Sequence, residues 1–497
     1  MNLLRKYYNV SVVFLKGENV IYFLMLMALA LRVHNFSSTS IWSDEGVTLE
    51  LIHRSVKGII KASFQDVNAR LYTVVGHFWA LLFGYSLSTV RFLSVVCAAL
   101  TVGVLFKTAD KNFGRKAAII STLLLCFSNI HIYYSEEARC YALLCLNASM
   151  ALYYFFELTK HPGKKVFILY TFFSLLTIYT QFFFGLQIVV QFIILIIVHK
   201  KNIKALKLIA IHHVAIGFLF AVWFVPTFIY KSKIDLTSSW VPPLSVDNLN
   251  WYFRDLFNTD FIFYCIVVIY LIAASFALIK RKTMPHNYRS MTYSMILAIL
   301  PFLAMCFTSY VIMPIVYPRF ILFISIPLFI SIGAVFSYFS VKSVAQVVLM
   351  ILFINLANTT NVNAFRNQEW DKAHLIEKVF YKDSTCVMVS PSYSEFCYIY
   401  NVLDWAYFEK YDELGYYKWD HHFAGIDDSL TFISRKFDKF KRVIFFDGEP
   451  LRDDRMLIYL KNNYDSTFTY HFYGVDFYVY DRRHKLGIKD TGKVGIN

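Results

Sequence analysis

Long apolar runs separated by short charged connections organise the first 358 residues of this chain. Runs of spanning length fall at about 18–33, 89–106, 117–134, 140–157, 166–181, 183–199, 205–229, 259–279, 291–313, 319–338 and 343–358. A bilayer core of about 30 Å needs about 20 helical residues, so these runs predict eleven membrane-spanning helices. A further run, LYTVVGHFWALLFGY at 71–85, is too short to span comfortably and is expected to lie in the interface. Past residue 358 the pattern changes. WDKAHLIEKVF reads as an amphipathic helix, TCVMVS and RVIFF (442–446) as strands, LRDDRMLIYLKNNY (451–464) as a helix, and TFTYHFYGVDFYVYD as a closing hairpin. Two domains are therefore expected, a membrane domain at 1–358 and an α/β lobe at 359–497.

Composition agrees with the pattern. Hydrophobic residues make up 57% and charged residues 17% of the 497, and there are 49 Phe and 35 Tyr. That excludes an ordinary soluble enzyme and describes a polytopic α-helical membrane protein. The net charge of +15 would point to nucleic acid in a soluble chain. Here the basic residues fall in the connections, with no nucleic-acid motif among them, so topology is the better reading and no nucleic-acid partner is expected. The 8 Cys form no CxxC pair, so neither a disulfide framework nor a zinc knuckle is expected.

Charge also orients the helices. The connections at 107–116, 159–165, 199–207 and 280–290 are basic, and eleven spans from a basic N-terminus put all four in the cytoplasm. Counting 71–85 as a span would put them on the wrong side. The same topology puts 34–88, SEEAR at 135–139, the loop at about 230–258, the stretch ending at Phe320 and the C-terminal lobe on the outer face.

Three charge clusters fall on that face. IWSDEGVTLE carries Asp44 and Glu45; HIYYSEEARCYAL carries Glu136, Glu137 and Arg139; Arg319 opens a long apolar helix. Each has a plain structural explanation: Ser43, Asp44 and Glu45 suit a helix cap and first turn, the second cluster a solvated turn, and Arg319 a snorkelling anchor. Neighbouring carboxylates on a helix point about 100° apart, so only one of Asp44 and Glu45 is expected to face a pocket. Charge at three outer helix ends, opposite the side that loop charge favours, points beyond anchoring to a functional site.

The order of these segments resembles a known family. An Asp-Glu pair after Trp42 is followed by LYTVVGHFW, RFLSVV, FGRKAA, IYYSEEARCYAL and PRFILF. This is similar to the membrane glycosyltransferases of the protein O-mannosyltransferase and lipid A aminoarabinose transferase type, with the GT-C architecture, over roughly residues 30–340. The chain departs from that pattern at NARLYT, where Asn68 and Arg70 replace a His-Pro element, and at Gln181, where relatives often carry His.

The resemblance implies a GT-C-like fold with interfacial helices in the first outer loop, an extracytoplasmic α/β lobe, and transfer of a sugar from a polyprenyl-phosphate carrier. It implies Asp44 as general base, with Glu45 or Glu137 positioning donor or acceptor, and Arg139 and Arg319 as ligands of the donor phosphate. Glu136, Asp66, Arg70 and Tyr141 are further substrate-binding candidates. No cofactor is required on this reading, although a divalent metal ion stays open; His34, His53, His77 and His131 lack a tight pairing that would hold one. The expected partners are the lipid-linked donor, a glycolipid or polysaccharide acceptor and membrane lipids, in a bacterial inner membrane with the site outside the cytoplasm. Transfer to protein Ser or Thr is the alternative within the fold. A secondary transporter is the alternative outside it, disfavoured because ionisable residues cluster at helix ends and the halves do not repeat.

Overall fold

A computed structural model describes residues 17, 19–34, 36–64, 71–231, 241–279, 288–337, 368–381, 384–390, 394–402, 423–425, 440–448, 455–472 and 474–482. Contacts divide the chain into two units, Met1–Ser38 with Arg54–Ala364, and Thr39–His53 with Phe365–Asn497. Residues 39–53, expected from the sequence to lie in the membrane domain's first outer loop, thus belong by their contacts with the C-terminal lobe.

The first unit is helical. Helices stand at ten of the eleven apolar runs; the run at 343–358 lies outside the described residues. Among the described residues, five helices are long and apolar enough to cross a membrane: Leu87–Phe113, Tyr141–Lys160, Phe182–His199, Ile203–Ile229 and Tyr288–Val311. A sixth span is reached if Arg115–Phe127 and Asn129–Ser135, whose axes differ by 61°, are counted as one. Val20–Val33, Leu71–Phe83 and Leu322–Phe336 are apolar but shorter. Length and composition therefore stop short of the expected eleven. Ile211, Val214, Phe218, Val222 and Val225, all on one long helix, are exposed, which makes sense only with lipid as the neighbouring phase. This is an integral membrane protein.

The interfacial expectation for 71–85 corresponds to the helix Leu71–Phe83, which buries Tyr72, Thr73, Gly76 and Ala80 and leaves Phe78, Leu81, Leu82 and Phe83 exposed. Its ends are tied down by Leu71 N–H to Tyr179 O at 3.3 Å and by Trp79 Nε1 to Thr89 O at 2.9 Å. Elsewhere close helix contact depends on small residues. A Cβ at Gly333, on the helix Ser325–Phe336, would lie 2.6 Å from Ala117 O and 3.1 Å from Ser121 N, so this helix meets Arg115–Phe127 backbone to backbone.

The second unit carries a five-stranded sheet in the order β2-β1-β3-β5-β4, with β1 Thr385–Ser390, β2 Phe423–Gly425, β3 Arg442–Asp447, β4 Tyr464–Phe472 and β5 Val475–Arg482. β1 runs parallel to both β2 and β3, and β5 is antiparallel to β3 and β4. The centres of β1 and β3 are continuously apolar because both faces are covered. Cys386, Met388, Val443 and Phe445 pack with Leu460 of the helix Arg455–Asn463 on one face. Phe446 lies 5.3 Å from the Tyr398 ring and 6.1 Å from the Trp370 ring on the other. Across the sheet Arg442 grips Asp481 through two bonds of 2.7 and 2.9 Å.

Gly333→Ala is expected to destabilise the membrane unit by about 1–3 kcal/mol, because backbone atoms cannot yield to a methyl group. Gly163→Ala, where a Cβ meets nothing within 4 Å, should stay within about 0.5 kcal/mol of wild type. Thermal unfolding of both variants in nanodiscs checks the pair.

Candidate active site

The SEEAR turn is placed by a break in a helix. Arg115–Phe127 stops in buried surroundings, and a helix end leaves its last carbonyls without intrahelical donors. Buried without partners, such groups are costly. Two side chains from elsewhere answer them. Arg32, 1% exposed, donates Nη2 to Leu125 O at 3.2 Å and Nη1 to Cys126 O at 3.3 Å and Ala28 O at 3.1 Å. Asn258 donates Nδ2 to Phe127 O at 2.6 Å and accepts the Asn129 N–H at Oδ1 at 2.8 Å. Asn258 does this from a left-handed backbone, φ 69°, which Asn tolerates better than most residues. A fixed cation at a helix C-terminus also offsets the helix dipole. Arg32, Thr101, His131, Tyr134, Ser135 and Cys145 then line a small cavity beside the break.

The short helix Asn129–Ser135 that follows delivers Glu136 and Glu137, both 2% exposed, into a tight turn closed by Arg139 N–H to Glu137 O at 2.8 Å. The Arg139 guanidinium sits 5.9 Å from the ring centre of Tyr141, which opens the helix Tyr141–Lys160. Ser94 Oγ donates to Arg139 O at 3.3 Å and shares a 2.8 Å bond with Tyr72 OH. The Tyr of the LYTVVGHFW motif thus supports the backbone of the SEEAR motif through Ser94. Arg319 lies in the 3-10 turn Pro318–Phe320, its guanidinium 5.4 Å from the Tyr317 ring and 5.5 Å from the Phe320 ring. The stretch before it is held by Ser309 Oγ, which accepts the N–H groups of Ile315 and Val316 at 2.8 and 3.1 Å. Tyr134 links the two clusters: its ring lies 4.9 Å from that of Tyr141, and it is within electrostatic reach of Glu137 and Tyr317.

Asp44 and Glu45 stand in the second unit, in the first turn of the helix Ser43–His53. Glu45 is fully buried, while Asp44, about 100° away round the helix, keeps part of its surface exposed. Asp44 is not the cap. The N–H groups of Glu45 and Gly46 go to Trp42 O at 2.9 and 3.0 Å, and the Ser43 N–H goes to Gln368 Oε1 at 3.0 Å. Gly46 is glycine because Phe396 Cβ and Cys397 Sγ would stand 3.0 and 3.1 Å from a side chain there. Burial, then the Glu45 and Asp44 carboxylates, push the Cys397 thiol well above its usual range, so it stays protonated. Asp66 and Arg70 lie outside the described residues.

Solved structures share this arrangement of elements. ArnT from Cupriavidus metallidurans bound to undecaprenyl phosphate is 13% identical, with TM-score 0.59 over 96% of this chain and 99% of that one. The same enzyme in the apo state gives 0.57 at 13% identity, over 95% and 98%. The chain has the GT-C fold. The archaeal oligosaccharyltransferase AglB from Archaeoglobus fulgidus, in complex with an inhibitory peptide and a dolichol-phosphate, is 11% identical with TM-score 0.51, over 98% of this chain and 75% of that one. Residues 72–230 match the sequence model of the dolichyl-phosphate-mannose-protein mannosyltransferase family, a segment that includes the SEEAR turn. No curated protein matches the chain by sequence.

Among the described residues no three His, Cys, Asp or Glu side chains are placed to hold a metal ion. Two ionisable residues away from the helix ends are His212 and His213, well inside the helix Ile203–Lys231. Thr171 Oγ1 shares a 2.8 Å bond with His212, and Tyr170 OH one of 3.3 Å with His213 and one of 2.8 Å with Gln191 Oε1, cross-linking three helices. Sequence reasoning also passed over Arg32, although an Arg within an apolar run is signal enough to ask what it serves. Asn258 and Gln368 carry no local signal.

Asn258→Ala removes a donor and an acceptor from buried backbone groups. A loss of about 1–3 kcal/mol per orphaned group is expected, read as a lowered melting temperature in nanodiscs. Cysteine-accessibility labelling at position 136 should rise in the same variant, because the helix break no longer holds the turn.

Proposed function

We propose that this chain is an integral-membrane glycosyltransferase that moves a sugar from a polyprenyl-phosphate carrier to a hydroxyl acceptor, a glycolipid or polysaccharide of the cell envelope. The observation that carries the reading is the SEEAR turn: two buried carboxylates and a partly buried arginine, built on a helix break, in the segment that matches the mannosyltransferase family. The likeness to ArnT bound to undecaprenyl phosphate supports the carrier. A second reading, transfer to protein Ser or Thr, draws on the family model's protein mannosyltransferases and on the peptide-bound archaeal relative.

In this reading Arg139 and Arg319 hold the donor phosphate and stabilise its charge as the bond to the sugar breaks. Asp44 takes the proton from the acceptor hydroxyl as its oxygen attacks the anomeric carbon. Glu137 positions donor or acceptor. Glu45, wholly buried, orders the helix that carries Asp44. Eleven spans place the basic connections in the cytoplasm, with the lobe and the three clusters outside it, in a bacterial inner membrane.

Three measurements test this. Undecaprenyl phosphate binding should weaken roughly ten- to a hundredfold in Arg139→Ala and in Arg319→Ala, the loss of a charge-assisted hydrogen bond, with Lys rescuing only in part. Unchanged binding in both folded variants returns them to anchoring roles. Asp44→Asn should lower turnover about 10²–10⁴-fold across a panel of polyprenyl-phosphate sugars while carrier binding stays near wild type; near-normal turnover removes the base assignment. Cysteine probes at 110 and 285 should be shielded in intact cells, and those at 240 and 430 labelled; external labelling at 110 overturns the topology.

A further inference from the structure

The Ser43–His53 helix begins against the carboxamide of Gln368. Gln368 Oε1 accepts three bonds, from Ser43 N–H at 3.0 Å, Ser43 Oγ at 2.9 Å and Trp370 Nε1 at 3.1 Å, while its Nε2 donates to Gly448 O at 2.9 Å. Ser43 Oγ also shares a 2.8 Å bond with Ser394 Oγ. Around this carboxamide the packing leaves no slack. A Cβ at Gly448 would stand 2.8 Å from Ser394 Oγ and 2.9 Å from Trp370 Cζ2, and Trp370 itself is fully buried. Gly448 is held in turn by its N–H to Ser390 O, 2.7 Å, at the end of β1. A chain of short contacts therefore runs from the central sheet through Gly448 and Gln368 to Ser43, the residue next to Asp44.

We propose that Gln368 is a positioning residue for the transfer reaction: its carboxamide stands in for an N-cap from outside the helix and fixes the first turn, so that the Asp44 carboxylate is held in one place. A cap supplied from the helix's own chain would set only the local backbone. A cap supplied by the sheet sets where that turn lies within the lobe, and errors of about 1 Å in a catalytic group cost about a hundredfold in rate. The lobe thus has a part in catalysis through geometry, without touching substrate.

The proposal rests on Asp44 as base, and the test separates the two. Full-length protein in nanodiscs is assayed with whichever polyprenyl-phosphate sugar the wild type turns over, and hydrogen exchange of residues 43–53 is followed without ligand. Gln368→Met keeps the shape and loses the bonds. It should lower kcat at least tenfold with donor KM within about twofold, and speed exchange in 43–53 while β1 and β3 stay protected. Gln368→Glu keeps the three accepted bonds but sets an oxygen against Gly448 O where Nε2 donated, so it should restore kcat only in part. In the Asp44→Asn background, Gln368→Met should cause no further loss, because it acts through that carboxylate.

Unaltered kcat and exchange in Gln368→Met overturn the proposal while leaving the base assignment intact. So does an equal fall in kcat with and without Asp44. Full turnover in Asp44→Asn alone defeats the base assignment first, and the positioning role with it.

Discussion

A helix that ends in buried surroundings must find donors for its last carbonyls, and the membrane unit is arranged around that requirement. At Leu125, Cys126 and Phe127 the donors come from Arg32 on the first helix and Asn258 beyond a later one. Neither bond can form until distant segments have packed, so the break and the packing specify each other. Removing either side leaves polar groups buried without partners. The turn that emerges carries Glu136, Glu137 and Arg139, so the placement of the chemistry is inherited from the repair of the helix end.

The second unit solves a different problem by the same means. The start of the Ser43–His53 helix lacks intrahelical acceptors for its first N–H groups, and one of these is met by Gln368 instead of a neighbouring Ser or Asp. In both units, side chains distant in sequence complete a helix terminus; in the second the candidate Asp44 stands beside it, and in the first the candidate carboxylates follow one short helix later. Regular helix interiors are self-sufficient in hydrogen bonds. Helix ends are where backbone polarity remains available to be directed, which is why charged side chains and substrates gather there.

The division between Asp44 and Glu45 shows how burial sorts chemically alike neighbours. Glu45 is removed from solvent, while Asp44 keeps part of its surface. A fully buried carboxylate is suited to ordering what surrounds it. One that keeps exposed surface can exchange a proton with an incoming hydroxyl. Helix geometry alone required that the two point apart; the lobe decided which of them was covered.

Much of this was legible in the chain of letters. Apolar length marked where helices stand, because hydrocarbon leaves no alternative way to satisfy a backbone. Continuous apolar runs in TCVMVS and RVIFF marked strands buried on both faces, and the alternation after Ser466 marked a hairpin. The three charge clusters were visible as charges where charge is costly. What the letters could not say is which side chains meet across long separations: Arg32 with Leu125, Asn258 with Phe127, Gln368 with Ser43. Such pairings leave no periodicity, since one hydrogen bond between residues far apart in sequence constrains only two positions. The membership of residues 39–53 in the lobe's unit is of the same kind. Local pattern reports what each segment needs from its surroundings, and only the folded chain decides which residue supplies it.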